Sequence, residues 1–241
     1  MRKWILFSFL ILSFPVVVWA LMSPGMGGGV PAAGSSYENF STYTEVDTIP
    51  NITLDTNYKL TYDGVPADDT AYLYKDRTSI SINQDFRFEF TVTTAPTGDS
   101  HLFLWGLAED SGNGIDGDLK DADNAGRDYI ATSLRFVSGA MRIYLDECID
   151  GSVNILDAWI GPSESTKYYV TVTGNSGSGS YGGYTVVFRT GSHGNASPED
   201  TLTGNFSAAP GTLRFHYAVS SCDNGSAAGE CVVIIENLEL L

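Results

Sequence analysis

The stretch Asp85-Phe-Arg-Phe-Glu-Phe-Thr-Val-Thr93 alternates apolar and polar side chains without a break. Phe86, Phe88, Phe90 and Val92 fall in one phase of this alternation, and the residues between them are polar. Because successive side chains of a β-strand point to opposite faces, a strict period of two predicts a strand with one buried and one solvated face. Such a strand needs a second layer against which it can bury its apolar side.

The same pattern recurs along the chain, and no segment after residue 20 shows a sustained apolar period of 3.6. Gly-rich turn clusters such as Ser138-Gly139 and Asp150-Gly151 separate the strand-like segments. Many short strands with polar connections predict an all-β fold, an antiparallel two-sheet β-sandwich of the jelly-roll type. The predicted strands are Tyr43 to Asp47, Asn57 to Tyr62, Thr70 to Asp76, Asp85 to Thr94, His101 to Leu107, Tyr129 to Val137, Ala140 to Glu147, Tyr168 to Thr173, Tyr184 to Thr190, Thr212 to Ser220 and Cys231 to Leu240.

The first twenty residues have the pattern of a signal peptide. Arg2 and Lys3 precede an apolar run, and small residues surround a cleavage point after Ala20. An uncleaved N-terminal anchor is the alternative. We expect residues 1–20 to be removed, residues 21–36 to form a flexible arm rich in Gly, Pro and Ala, and residues 37–241 to form the β-sandwich. The mature protein is then secreted or extracellular, in the periplasm or on the cell surface if the source is bacterial.

The chain is strongly acidic. Its formal net charge is −16, and without Arg2 and Lys3 only 11 basic residues face 29 acidic ones. Such a field repels phosphate backbones and anionic lipid surfaces, which disfavours nucleic-acid partners and membrane insertion after signal cleavage. It attracts divalent cations, although acidity that only keeps an exported protein soluble explains the charge equally well.

Three cysteines are present. Cys222 and Cys231 bracket a short polar loop between two predicted strands, and an oxidising compartment favours a disulfide bond between them. Cys148 is then left over. We expect it to be buried as a small apolar side chain, because no histidine is near it in sequence.

An acidic, Gly-rich connection from Glu109 to Asp128 is the best metal candidate. Calcium takes six to eight oxygen ligands, and closely spaced Asp residues with Gly allow a loop to curl around the ion. An EF-hand is excluded because Thr132 stands where its bidentate Glu belongs. A calcium loop of another type remains an expectation, and a hydrated loop without metal is the alternative. The candidate ligands are Asp110, Asp116, Asp118, Asp121 and Asp123.

A second group of polar residues lies in the polar phase of predicted strands. If those strands adjoin in one sheet, guanidinium, phenol and imidazole groups share one surface, which could hydrogen-bond sugar hydroxyls or carboxylates while an aromatic ring stacks on a sugar. An ordinary solvated face with local ion pairs is the alternative. The candidate ligand-binding residues are Trp105, Arg135, Arg142, Tyr144, Arg189, Arg214 and His216.

The order of the pieces resembles the concanavalin A-like lectin/glucanase jelly rolls, and within them the LamG-like sandwiches. The resembling segments are Tyr43 to Asp47 with Ile52 to Leu54, Ala71 to Asp76, Phe86 to Val92, Leu102 to Ala108, Met141 to Leu145, Tyr168 to Val172 and Val233 to Leu240. The resemblance implies two antiparallel sheets packed face to face, neighbouring N- and C-terminal strands, and a frequent use in carbohydrate binding.

Catalysis is less expected than binding. Glycosidases of this fold place two carboxylates on alternate residues of one strand, whereas Asp146 and Glu147 are adjacent here and would point to opposite faces. The sequence therefore predicts a secreted module that binds a glycan or another cell-surface polymer without catalysis. The alternatives are a glycoside hydrolase or lyase of the same fold and a structural or adhesive subunit, including a homo-oligomer, of a cell-surface or virion assembly.

Overall fold

Fourteen strands, preceded by one short 3₁₀ turn at Phe40–Thr42, make up the fold of this computed structural model, which describes residues 36–47, 50–65, 70–96, 101–109, 119, 126–175, 177–222 and 229–241. The strands are β1 (Thr44–Asp47), β2 (Ile52–Thr56), β3 (Lys59–Gly64), β4 (Ala71–Asp76), β5 (Phe86–Thr94), β6 (His101–Glu109), β7 (Tyr129–Val137), β8 (Ala140–Ile149), β9 (Ser152–Ile160), β10 (Lys167–Asn175), β11 (Gly183–Thr190), β12 (Asp200–Asn205), β13 (Leu213–Cys222) and β14 (Cys231–Leu240). The predicted signal peptide and the arm up to residue 35 lie outside the described residues.

The strands form two seven-stranded sheets, and every pairing is antiparallel. Sheet 1 has the order β1-β4-β13-β6-β7-β8-β9, and sheet 2 the order β12-β11-β10-β5-β14-β3-β2. The last strand, β14, lies between β3 and β5, and Tyr37 near the start of the unit bridges to Glu239 on it. The predicted all-β, two-sheet jelly-roll sandwich is confirmed.

The core lies between the sheets and is built around β5, the middle strand of sheet 2. Phe86, Phe88, Phe90 and Val92 are at most 1% exposed, as their alternation predicts. Phe86 packs edge-on against Trp105 of sheet 1, with ring centroids 5.0 Å apart. Burial of such large aromatic side chains supplies much of the hydrophobic free energy of the fold.

A second hydrophobic cluster lies on the side of sheet 1 that faces away from sheet 2, which we call the outer face. Tyr72 and Tyr74 of β4 pack there against Phe215 and Tyr217 of β13. Sheet 1 is therefore buried on both sides over part of its area, so that apolar residues of one strand can belong to either face.

Three of these strands, β2, β9 and β12, are not among the eleven predicted strands. Strand β2 overlaps the segment Ile52 to Leu54, which was noted only for its resemblance, whereas β9 and β12 lie in parts of the chain where no strand was predicted. In β9 the register shifts between the partners of Leu145 and Asp146, and this β-bulge breaks the alternation of the strand. Strand β12 is short and mostly polar.

The predicted disulfide bond is not formed in this structure. Cys231 is a free thiol, fully buried at the start of β14 in sheet 2, whereas Cys222 ends β13 in sheet 1. Burial raises the pKa of the Cys231 thiol, which keeps it protonated and unreactive. Cys148 is fully buried in the hydrophobic cluster on the outer face of sheet 1, as expected for a small apolar side chain.

Within the described part of the chain, no helix has the length and apolar character needed to cross a bilayer.

Shortening one side chain on the inner face of β5 tests the sandwich. We expect Phe90→Ala to lower the free energy of unfolding by about 3–5 kcal/mol, because it removes a buried ring and leaves a cavity. Thr93→Ala, at an exposed position of the same strand, should change it by less than about 0.5 kcal/mol. Urea unfolding followed by tryptophan fluorescence measures both. Similar losses for the two variants would contradict the assignment of the inner face.

Candidate functional site

The part of the outer face formed by β6 to β9 carries a row of basic side chains. The strand register places Arg135 of β7 opposite His101 of β6 and opposite Arg142 of β8. Directly paired residues of antiparallel strands point to the same face, so these three side chains share the outer face. Ile160 of β9 pairs with Arg142 and continues the row.

Arg135 is held in place by its neighbours. Its guanidinium forms an ion pair with Asp146 at 2.5 Å, its Nε donates to the hydroxyl of Ser133 at 2.8 Å, and it lies 4.6 Å from the ring centroid of Tyr144. The Ser133 hydroxyl in turn donates to Asp146 at 2.5 Å. Several contacts to one guanidinium restrict its rotamers, so little side-chain entropy remains to be lost on ligand binding.

Asp146 is a buried carboxylate, with 0% of its surface exposed. Burial raises its pKa above the usual range of aspartate, although Arg135 and Ser133 pull the pKa down. Its Oδ2 receives both contacts described above, while its Oδ1 has no hydrogen-bond partner in the part of the chain that the structure describes. Asp146 therefore acts as an anchor for Arg135 beneath the surface.

Adjacent Glu147 points to the opposite side of β8. Its carboxylate is also fully buried and accepts hydrogen bonds from the backbone N–H of Ser207 at 3.0 Å and from the Asn154 amide at 3.3 Å. Asp146 and Glu147 thus cannot flank one glycosidic bond, as their adjacency on a strand predicts.

Beside this cluster, edge strand β9 exposes apolar side chains. Val153, Ile155 and Ile160 are 41%, 53% and 62% exposed, and their partners on β8 place them on the outer face. Sequence reasoning missed these residues, together with Ser133 and the anchoring role of Asp146. The alternation of Val153 and Ile155 around a polar Asn154 was the available signal, but it ends at the bulge.

The middle of the outer face is covered by Leu119. Its backbone N–H donates to the Ser220 hydroxyl at 3.1 Å, and its side chain lies so close to Gly106 that a Cβ there would be 2.4 Å from Leu119 Cδ1. Ala131 on β7 pairs with Gly106, and these two small residues allow Leu119 to pack close to the sheet. Leu119 thus belongs to the same hydrophobic cluster as the aromatic residues of β4 and β13.

The other predicted ligand-binding residues lie elsewhere. Trp105 and His216 are 1% exposed and point into the interior, so the expectation that they share a surface with Arg135 is wrong. Arg214 pairs with Asp76 toward the far end of β13, and Arg189 belongs to sheet 2. Three of the seven predicted residues, Arg135, Arg142 and Tyr144, are brought together.

Two irregularities explain the interior positions. A register shift in β6 between Phe103 and Trp105 moves Trp105 out of phase with Phe103 and turns it inward. In β13 a register shift between Leu213 and Phe215 leaves Leu213 in the core but puts Phe215 and Tyr217 in the outer cluster, so His216 points inward. There the histidine lies 5.3 Å from the Phe86 ring.

The outer face of sheet 2 carries cations that are held by local partners. Arg87 contacts Glu239 at 2.5 Å, and Lys167 contacts Glu89 at 3.0 Å. On the same face the Nε of Arg189 donates to the backbone carbonyl of Asn195 at 2.9 Å.

The candidate calcium ligands Asp110, Asp116, Asp118, Asp121 and Asp123 lie outside the described residues. Among the residues that are described, no group of three or more His, Cys, Asp or Glu side chains is arranged to hold a metal ion.

The architecture defines a concanavalin A-like jelly roll, and comparison with known proteins supports that class. By sequence, the chain matches no family model, and it has no significant match among curated proteins. Its structure is similar to a family 7 alginate lyase, A1-II′ Y284F in complex with its product (GGG), with a TM-score of 0.54 and 11% identity over 85% of this chain and 92% of that one. A likeness at this identity shows the fold alone.

Two further solved structures are similar to this chain in fold. The GH43 protein BlXynB (mutant K247S) from Bacillus licheniformis aligns with a TM-score of 0.55 and 8% identity over 88% of this chain and 40% of that one. The exoplasmic/lumenal domain of VIP36, in a form bound to Ca²⁺ and Man3GlcNAc, aligns with a TM-score of 0.51 and 10% identity over 81% and 84%. These likenesses also show the fold alone, and the match to the GH43 protein spans less than half of that chain.

The Arg135–Asp146 pair gives a testable electrostatic prediction. We expect Arg135→Met to destabilise the protein by about 3–5 kcal/mol at neutral pH, because it leaves a buried carboxylate without its counter-charge. In the folded variant the pKa of Asp146 is then raised still further above its value in the unfolded chain. Since the folded pKa is raised, stability falls as the pH rises above the ordinary aspartate range, and the loss should be smaller in acid.

The double variant Arg135→Met/Asp146→Leu is the matched control, since it removes both charges and should recover most of the stability. Thermal melts from pH 4 to pH 8 measure all three proteins. A single variant as stable as the parent at pH 8 would refute the anchoring role of this pair.

Proposed function

We propose that this chain is a secreted β-sandwich that binds carbohydrate or a related cell-surface polymer on the β7–β9 part of the outer face of sheet 1. Recognition would be shallow and non-covalent, through hydrogen bonds from arginine side chains and apolar contacts with sugar rings. The following features of the described residues support this proposal.

The proposal rests mainly on the environment of Arg142. Among the described residues it takes part in no ion pair, and its Nε has no hydrogen-bond partner, although the chain is strongly acidic and most of its described cations are paired. A guanidinium beside a pre-positioned Arg135 offers donors in a fixed fork that matches sugar hydroxyls or carboxylates.

The exposed side chains of Ile155 and Ile160 supply the apolar part of such a site. Sugar rings have C–H faces that lose water when they pack on apolar surface, and an exposed apolar patch next to fixed polar donors is typical of a ligand surface. Tyr144 is 92% buried beneath Arg135, so it supports the surface and is not expected to stack on a sugar itself.

The structural neighbours are consistent with this class of ligand. They include an alginate lyase with its bound product, a GH43 protein, and the VIP36 exoplasmic/lumenal domain with bound Ca²⁺ and Man3GlcNAc. A lyase or hydrolase of the same fold is the competing function. Binding without release of new reducing ends or unsaturated ends from the polymer would favour the non-catalytic module.

Substitution of Arg142 tests the binding surface. We expect Arg142→Ala to weaken binding to a responsive polysaccharide at least tenfold, because each charge-assisted hydrogen bond contributes about 1.5–3 kcal/mol. Arg189→Ala is the matched control, since it removes an arginine from the outer face of sheet 2. Affinity electrophoresis and calorimetry against alginate, xyloglucan, xylan and mannose oligosaccharides provide the measurement. Equal losses for both variants, or no binding to any polymer, would overturn the proposal.

Calcium binding by the acidic connection from Glu109 to Asp128 remains a prediction from sequence. If the five candidate aspartates hold the ion, calcium should raise the melting temperature, because a ligand selective for the folded state stabilises it. A shift of several degrees between 1 mM calcium and excess chelator is expected, and Asp121→Asn/Asp123→Asn should abolish it. Melting temperatures that are insensitive to calcium and chelator would remove calcium from the proposed function.

A further inference from the structure

A small pocket lies between the two sheets, on the opposite side of sheet 1 from the proposed carbohydrate surface. Its volume is about 150 Å³. Phe86, Leu107 and Leu240 form apolar walls, whereas Arg77, Gln84 and His216 contribute polar groups. Since a water molecule takes about 30 Å³ of liquid volume, the pocket accommodates a ligand of only a few non-hydrogen atoms.

A chain of hydrogen bonds leads from the surface to this pocket. Glu38 accepts an ion-pair contact from Arg77 Nη2 at 2.8 Å, and the same guanidinium nitrogen donates to the Tyr43 hydroxyl at 3.2 Å. The Tyr43 hydroxyl lies 3.3 Å from His216 Nδ1. Tyr43 and His216 are both buried, so each polar atom in the chain needs a partner.

The two contacts of the Tyr43 hydroxyl favour the tautomer of His216 in which Nδ1 is the acceptor. The Tyr43 oxygen already accepts from Arg77, and its own proton finds an acceptor at His216 Nδ1. Burial and the nearby Arg77 lower the pKa of His216 to about 3, so the ring is neutral near pH 7. A neutral ring that accepts at Nδ1 carries its proton on Nε2.

His216 Nε2–H is therefore a donor, and it is buried with no hydrogen-bond partner among the described residues. The Nε–H of Arg77 is a second buried donor without a partner in that part of the chain. In contrast, the side-chain amide of Gln84 donates to the backbone carbonyls of Asp85 at 2.8 Å and of Leu241 at 3.2 Å, which ties the C-terminal residue to the pocket wall.

We propose that this pocket binds a small carboxylate, with His216 Nε2–H and Arg77 Nε–H donating to its oxygens and the apolar walls enclosing its hydrocarbon part. Two donors match the two oxygens of one carboxylate, and burying an unpaired donor is costly unless an acceptor meets it. Beside the pocket, Arg77 and Lys75 carry two positive charges and Glu38 carries one negative charge, which leaves a net charge of about +1 for this group. The binding is nonetheless weak, with Kd in the millimolar range, because the net charge of the whole chain is −16.

Acetate is the probe, with acetamide of the same shape and sodium chloride at equal ionic strength as controls. Nitrogen-15 NMR of the histidine side chains in the full chain should show His216 neutral with its proton on Nε2. Acetate should shift the His216 signals saturably, whereas acetamide and chloride should not. A proton on Nδ1, or equal responses to acetate and acetamide, would overturn the proposal.

Two variants separate this pocket from the carbohydrate surface. His216→Phe keeps a ring of similar size but lacks the donor, and it should weaken acetate binding at least tenfold, with folding checked by circular dichroism. Arg142→Ala lies on the other side of the sheet and should leave acetate binding unchanged. Unaltered binding in His216→Phe, or no saturable acetate response in the parent protein, counts against the site, and neither result bears on carbohydrate binding.

Discussion

The packing of aromatic rings between the two sheets is the constraint on which the rest of the structure depends. Phe86 of sheet 2 contacts both Trp105 and His216 of sheet 1, with ring centroids 5.0 and 5.3 Å apart. Farther along β5, Phe90 stacks on Tyr168, which meets Trp159 of sheet 1 at 5.3 Å. Interior side chains pack at crystal-like density, so these contacts fix the separation and register of the layers.

Once the inner faces are fixed, every other strand position follows from the pleat and from the bulges that interrupt it. A one-residue shift of register sends a side chain to the other face. The bulge in β6 takes Trp105 from the outer face to the core, and the bulge in β9 leaves Ile155 outside while Leu156 packs against the core. The proposed binding surface and the interior pocket thus lie on opposite sides of sheet 1.

The sequence predicts the fold well because alternation is a local signal with a single physical cause. Phe86, Phe88 and Phe90 are buried in the phase that the pattern indicates, and the Asp150-Gly151 turn lies between β8 and β9 with positive φ angles of 50° and 77°. Glycine adopts such angles at little cost. Strands β6 and β13 were predicted as well, but their register shifts put Trp105 and His216 on a face that alternation does not indicate.

The candidate site is less predictable, since it depends on which strands become neighbours. In addition, both faces of sheet 1 are partly apolar. Arg135, Arg142 and Tyr144 come together because β7 and β8 form a hairpin, which is again a local feature. Arg189 was assigned to the same surface by the same alternation, but strand order places it in the other sheet. Alternation assigns a side chain to a face, and it carries no information about which sheet that face belongs to.

Strand β13 shows why the faces of its side chains are hard to predict when a sheet is buried on both sides. A strand with one wet face should turn Phe215 and Tyr217 inward and His216 outward, and the opposite holds because the outer face has its own aromatic cluster. Placing a histidine in the core costs free energy unless its nitrogens are satisfied. Tyr43 satisfies Nδ1, and the proton that this bond leaves on Nε2 needs an acceptor of its own, which a carboxylate in the pocket would supply.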